Sequence, residues 1–132
     1  MLIPVTTEFR RRRGRLRAPA AAPAPPALAV TGVIDLNFGG DILSFTLVFN
    51  TTPAQQLEDP IGASPAKWTA RYSNQLFEAD TLILVQYDQI QVGMILTASE
   101  AGANVLNYSN APSDISDALG RQLGAFSGMP LP

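Results

Sequence analysis

Apolar and polar residues alternate along much of the chain after residue 28, which is the pattern of β-strands with one buried face. The clearest alternation is in residues 42–50, where Phe45, Leu47 and Phe49 alternate with Ser44, Thr46 and Val48. Phenylalanine also favours strands. The pattern therefore predicts a strand that points Phe45 and Phe49 into a core.

Six further segments have strand character. In AKWTARY, residues 66–72, Trp68 begins a second alternation, and TLILVQY, residues 81–87, is apolar and β-branched enough for a buried strand. The other predicted strands are residues 27–37, 93–98, 104–109 and 121–126. The predicted core residues are Phe45, Phe49, Trp68, Leu84 and Leu96.

Turn-forming residues separate these segments. They are Gly39-Gly40-Asp41, residues 51–65, Ser73-Asn74, Gly93, Ala101-Gly102 and residues 112–120. With no convincing amphipathic helix between the strands, the spacing predicts an all-β antiparallel fold, either two sheets packed face to face or a small barrel. A short helical turn is expected near residues 53–57. Asp117 is expected to cap a tight turn, in which Gly120 takes a positive φ.

Charge divides the chain into two regions. Residues 1–27 contain six arginines against Glu8, a net charge of +5, whereas residues 28–132 contain three basic residues against ten carboxylates, a net charge of −7. The basic run, residues 10–17, precedes an Ala/Pro stretch, residues 18–27, which is expected to act as an extended spacer of about 30 Å. We therefore predict an extended N-terminal arm, residues 1–27, and a folded body, residues 28–132. The six arginines are Arg10, Arg11, Arg12, Arg13, Arg15 and Arg17.

Three interpretations of the basic run follow from its composition. It is a solvated tail, it neutralises nucleic-acid phosphates without reading bases, or it pairs with carboxylates of a protein surface. Leu2, Ile3, Val5 and Phe9 alternate loosely, which favours a protein partner through strand addition. A secretion signal is disfavoured because prolines interrupt the apolar residues after the arginines.

The composition excludes the commonest catalytic and metal-binding groups. The sequence contains neither His nor Cys, which excludes Ser-His and Cys-His catalysis and removes the usual zinc and copper ligands. The closely spaced pairs Asp114/Asp117 and Asp35/Asp41 are interpreted as turn residues. No apolar run approaches the roughly 20 residues of a membrane-spanning helix. We therefore predict no catalytic residue, no cofactor, no metal and no membrane partner.

Three segments together resemble a divergent family of bacterial and phage immunoglobulin-like domains. They are FTLVFNTTP, PAKWTARY and NVLNYSNAPSDISDALGRQLGAFSG. The resemblance spans residues 29–128 and implies an immunoglobulin-like antiparallel β-sandwich of about seven strands, without catalytic residues. The positions that carry it are Phe49, Trp68, Tyr108, Pro112, Asp117, Gly120 and Phe126.

A single domain of this kind on a basic, Pro-rich arm also resembles small phage virion proteins that decorate or cement a capsid or tail. The resemblance implies a non-enzymatic structural protein, located in the virion in many copies and anchored by its arm to other virion proteins. Two alternatives stay open. One is a host-encoded bacterial surface or carbohydrate-binding module, and the other is a capsid protein whose basic arm binds nucleic acid.

Overall fold

The computed structural model describes residues 26–60, 63–109 and 115–132, which contain seven antiparallel β-strands. The prediction of an all-β antiparallel fold is therefore confirmed. Two short 3-10 helical turns, Pro53–Gln55 and Pro65–Lys67, lie between the second and third strands, and the first matches the predicted helical turn. The strands are β1 (Val30–Gly39), β2 (Ile42–Phe49), β3 (Trp68–Tyr72), β4 (Gln75–Gln86), β5 (Gln89–Ser99), β6 (Val105–Tyr108) and β7 (Phe126–Pro130).

Hydrogen bonds join all seven strands into one curled sheet with the order β1-β2-β5-β4-β3-β6-β7. The sequence predicted two facing sheets or a small barrel. The structure has one sheet and not two, because β4 and β5 form a long hairpin. β5 of this hairpin pairs with β2, and β4 pairs with β3. Three register shifts interrupt the β4–β5 ladder. Such shifts increase local bending and twist, which lets one sheet wrap around a core.

The curl brings strands together that are not neighbours in the sheet. Phe38 on β1 contacts Tyr72 on β3 with ring centroids 5.3 Å apart, although β2, β5 and β4 lie between those strands. Phe38 also meets Phe77 on β4 edge-on at 6.1 Å. The concave face of the sheet is therefore enclosed by the sheet itself at this end.

The concave face holds the core. Phe45, Phe49 and Trp68 are buried there as predicted, whereas Leu84 and Leu96 are only partly buried and pack against the core cluster. Residues from the connecting segments complete the cluster. They are Leu28, Leu57, Ile115 and Leu123, with Leu131 from the C-terminus.

Strands β4 and β5 begin earlier than the sequence predicted. The segment 75–80 pairs with β3 and β5 despite its charges, and Asp80 lies at a register shift that keeps Ala79 facing the core. Gly93 was expected to end a strand, but it lies inside β5 and pairs with Ser44 and Thr81. Glycine leaves room for a neighbouring side chain here, because Thr81 Oγ1 lies where a Cβ atom of residue 93 would be.

This close approach leads to a stability prediction. Gly93→Ala is expected to lower the free energy of unfolding by about 1–3 kcal/mol, because the new Cβ displaces the Thr81 hydroxyl. Thr81→Ala removes the obstacle, so the double variant is expected to lose less than the two single variants added together. Chemical denaturation of the four proteins measures the coupling. Additive losses would show that the contact is unimportant.

The closing strand was predicted at residues 121–126, but β7 begins only at Phe126. The residues before it fold back locally instead. Asp117 N donates to Arg121 O and Leu123 N donates to Ile115 O, so residues 115–123 form a small hairpin that covers one end of the core. The carbonyl group of Arg121 and the amide of Leu123 therefore form hydrogen bonds within this hairpin and not in a longer β7.

The sheet has two edge strands, β1 and β7. In β1 the register shifts between Ile34 and Asn37, and Asp35 in this bulge has φ 54°. β7 is only five residues long, contains Gly128 with φ 76°, and ends at Pro130. Both edges are therefore irregular.

Candidate functional site

The predicted binding arginines, Arg10 to Arg17, lie outside the described residues, and so does Pro112. The structure describes the point at which the arm joins the body. We call residues 26–29 the arm root. Pro26, the first residue that the structure describes, already contacts the body, one residue before the last residue of the predicted arm.

Two side chains hold the arm root against the body. Arg121 Nη1 donates to the carbonyl oxygen of Pro26 at 2.7 Å. Asn50, immediately after β2, donates through Nδ2 to the carbonyl oxygen of Ala27 at 2.8 Å and accepts through Oδ1 from the amide of Ala29 at 2.9 Å. Leu28 between them is buried in the core. The arm root, residues 26–29, is thus fixed at one end of the sheet.

Arg121 is itself held by Asp117 in a buried ion pair. Arg121 Nε donates to Asp117 Oδ2 at 2.6 Å, and the Asp117 side chain is fully buried. The second carboxylate oxygen, Oδ1, accepts from the amides of Leu119 and Arg121, each at 3.0 Å. Gly120 completes this turn with φ 81°. The structure therefore places Asp117 and Gly120 in the tight turn that the sequence indicated.

The role of Arg121 was missed by the sequence analysis. Only Lys67, Arg71 and Arg121 are basic in the body, and Arg121 lies four residues after Asp117. A rare cation at that spacing from the turn aspartate was the available signal. Arg121 connects the turn, the end of β2 and the arm root, because Nη2 also approaches the carbonyl oxygen of Asn50 at 3.4 Å.

Three aromatic residues join β3, β6 and β7 on the concave face. Trp68 stacks on Tyr108 with centroids 4.3 Å apart, and Phe126 meets Trp68 at 5.9 Å and Tyr108 at 6.0 Å. Trp68 is completely buried. The arrangement is a packed part of the core and leaves no room for a ligand between the rings.

An open pocket of about 490 Å³ lies beside this cluster. Its polar lining is mostly hydroxyl and amide groups, so it offers hydrogen bonds and little charge. The lining residues are Lys67, Thr69, Asn107, Tyr108, Ser109, Ala125, Phe126 and Ser127.

The convex face of the sheet exposes large apolar side chains where polar ones were expected. Ile42 on β2 is 59% exposed and is the direct cross-strand partner of Ile95 on β5, which is 47% exposed. Ile34 on β1 and Ile83 on β4 are 41% and 54% exposed. We call these four residues the isoleucine face. The sequence alone does not reveal this face, because its four isoleucines lie on four separate strands.

Carboxylates surround the isoleucine face. Asp41 precedes Ile42, Glu78 is the cross-strand partner of Ile95, Asp35 follows Ile34, and Asp80 lies at the register shift in β4. Among the described residues, none of these four forms an ion pair, because Arg71 pairs with Glu100 and Arg121 with Asp117. The face therefore combines exposed isoleucines with these carboxylates, of which Glu78 continues the row of Ile42 and Ile95, and Asp80 lies close to Gly93.

Across residues 26–60, 63–109 and 115–132, no group of three or more carboxylates is placed to hold a metal ion. In the same ranges, no helix has the length and apolar character needed to cross a membrane. Comparisons with protein-family models, with curated proteins and with solved structures gave no match.

Proposed function

We propose that this protein is a non-enzymatic structural protein that attaches through its basic arm to an anionic surface of a larger assembly, namely a phage virion. The observation that carries the proposal is the fixed arm root. Arg121 and Asn50 hold residues 26–29 against the body, so the chain leaves the folded domain from a fixed point. Such an attachment suits a tether.

The distribution of charge supports the same function. Six arginines against Glu8 precede the arm root, while the body has three basic residues against ten carboxylates. An acidic body keeps a particle surface soluble, and a basic arm is attracted to anionic partners. The charges of the arm are too costly to bury unless a partner supplies opposite charges.

The immunoglobulin-like assignment is part of this proposal. It requires the β1-β2-β5 side of the sheet to face the β3-β6-β7 side across the core. The contact between Phe38 on β1 and Tyr72 on β3 supports this arrangement. Domains of this kind present a compact surface without a catalytic requirement, as a capsid decoration, cement or tail-associated protein needs.

The arm provides the test. Replacing Arg10–Arg13 by Ser is expected to abolish incorporation into particles and to remove salt-sensitive binding, because four guanidinium groups are lost and the body is unchanged. Mass spectrometry of purified virions gives the number of copies per particle. Incorporation of the Ser variant at the normal copy number would refute the proposal.

Replacing the same four residues by Lys separates the kinds of partner. Lysine preserves charge but cannot form bidentate pairs with carboxylates. A protein partner that uses such pairs should lose affinity for the Lys variant, whereas binding to nucleic-acid phosphates should persist. The number of copies of the Lys variant in purified virions measures the difference, and incorporation at the normal copy number would favour the nucleic-acid alternative.

A further inference from the structure

We propose that the isoleucine face of one copy binds the N-terminal segment, residues 1–17, of a second copy, so that copies join head to tail. This inference rests on the proposed function, because it identifies one anionic surface to which the arm attaches. Its starting observation is a sheet face that combines four exposed isoleucines with carboxylates that have no ion-pair partner among the described residues, on a protein whose own N-terminal segment is apolar and then basic.

The face is built by four neighbouring strands in the order β1-β2-β5-β4. One row across the sheet contains Ile42, Ile95 and Glu78, and another contains Ile34, Thr46, Gln91 and Ile83. The row between them contains Asn37, Ser44, Gly93 and Thr81, which are mostly small. The three rows form a band that runs across the strands, with two isoleucines in each outer row, polar side chains beside them, and the Asp80 carboxylate close to Gly93 in the middle row.

The N-terminal segment complements this band in both apolar content and charge. Residues 1–9 contain Leu2, Ile3, Val5 and Phe9, and the basic run follows directly. Apolar side chains can contact the exposed isoleucines while the arginines reach the carboxylates among and beside them. Arginine forms bidentate hydrogen bonds with such carboxylates. The four carboxylates are Asp35, Asp41, Glu78 and Asp80.

The position of the arm root favours a second copy over the same chain. Asn50 holds the arm root at the C-terminal end of β2, and the face extends from Ile34, five residues after Ala29, to Ile42 at the N-terminal end of β2, about 25 Å from Asn50 at the usual strand rise. The spacer, residues 18–27, contains four prolines and is predicted to extend about 30 Å away from the body. Binding to its own face would require this stiff stretch to reverse direction.

Because the arm and the face are different surfaces, the contact is heterologous, and repeated contacts produce chains or rings. Each copy supplies one arm and one face. The geometry therefore fits a protein that is present many times in one assembly.

The full-length protein provides the first test, by analytical ultracentrifugation at several concentrations and salt levels. We expect its mass to rise above the 14.1 kDa of one chain with increasing concentration and to fall again at high salt. The face variant Ile42→Thr/Ile95→Thr and the arm variant Arg10–Arg13→Ser should both remain monomeric. Leu119→Thr is the matched control, because Leu119 is 51% exposed but lies outside the face, and it should associate normally.

Mixing the variants gives the sharper test. The face variant keeps an intact arm and the arm variant keeps an intact face, so an equimolar mixture should form a species of about twice the 14.1 kDa chain mass and nothing larger. Circular dichroism and thermal unfolding of each variant verify that the body is folded. A mixture of folded variants that stays monomeric would overturn the inference.

The outcomes also separate this inference from the proposed function. If the wild-type protein is monomeric at all concentrations, while the arm variant fails to enter virions, the arm binds another component and only the head-to-tail contact is wrong. If the face variant associates like the wild-type protein, the isoleucine face is not the partner surface. If the arm variant both associates and enters virions normally, both proposals are wrong.

Discussion

Replacing Trp68 by Ala is expected to lower the free energy of unfolding by about 3–5 kcal/mol, which is a large part of the stability of a small domain. Trp68 is completely buried and contacts both Tyr108 and Phe126, so its removal leaves a cavity shared by β3, β6 and β7. Chemical denaturation measures the change. A loss below about 1 kcal/mol would show that the aromatic cluster does not organise the core.

Trp68→Phe is the matched control for this prediction. The indole N–H of Trp68 has no hydrogen-bond partner among the described residues, and an unpaired buried donor costs about 1–3 kcal/mol. Phenylalanine retains an aromatic ring and removes that donor. We therefore expect Trp68→Phe to cost much less than Trp68→Ala, and equal losses would contradict the stacked arrangement.

Replacing Arg121 by Ala is expected to cost about 3–5 kcal/mol, because it leaves the buried Asp117 carboxylate without its cation. The substitution also releases the carbonyl oxygen of Pro26 from the body. Thermal or chemical unfolding measures the loss. Glu100→Ala is the control, since it breaks the more exposed pair with Arg71 and should cost less than about 1 kcal/mol.

A double-variant cycle isolates the Asp117–Arg121 contact. Asp117→Ala with Arg121→Ala removes both charges, so the double variant should lose clearly less stability than the sum of the single variants. The hydrogen bonds that the amides of Leu119 and Arg121 donate to Asp117 Oδ1 are lost in Asp117→Ala and in the double variant alike, so they cancel in the cycle. Additive losses would mean that Arg121 acts only through the arm root.

Alternation along the sequence was sufficient to predict the strands with one strongly apolar face. Residues 42–50 and 66–72 were recognised because Phe45, Leu47 and Phe49 recur every second residue, as do Trp68, Ala70 and Tyr72. The structure buries Phe45, Phe49 and Trp68. The turn at Ser73-Asn74 was also visible, and both residues have positive φ. Local patterns are reliable here because each depends on neighbours in the sequence.

Features that depend on distant contacts were less predictable. Gly93 indicated a break, but the nearby Thr81 side chain of β4 explains its place inside β5. Likewise, residues 121–126 have the alternation of a strand. The Asp117 carboxylate instead accepts hydrogen bonds from the amides of Leu119 and Arg121, which turns the chain locally. The single curled sheet follows from register shifts that no residue type indicates by itself.

The candidate site was predicted only in part. The sequence identified the basic run, residues 10–17, which lies outside the described residues, and its binding role stays a prediction. The arm root and the isoleucine face emerged from the structure. Each joins residues from separate strands, such as Ile42 and Ile95, which are 53 positions apart in the sequence.

The irregular edge strands determine how these domains avoid uncontrolled aggregation. A curled sheet that does not close has unpaired backbone groups at both margins, and a regular margin would recruit the margin of another molecule. The bulge at Asp35 places a charge and a left-handed residue in one margin, while Pro130 removes an amide donor from the other. A high local concentration would therefore not by itself fuse the sheets of neighbouring molecules into fibrils.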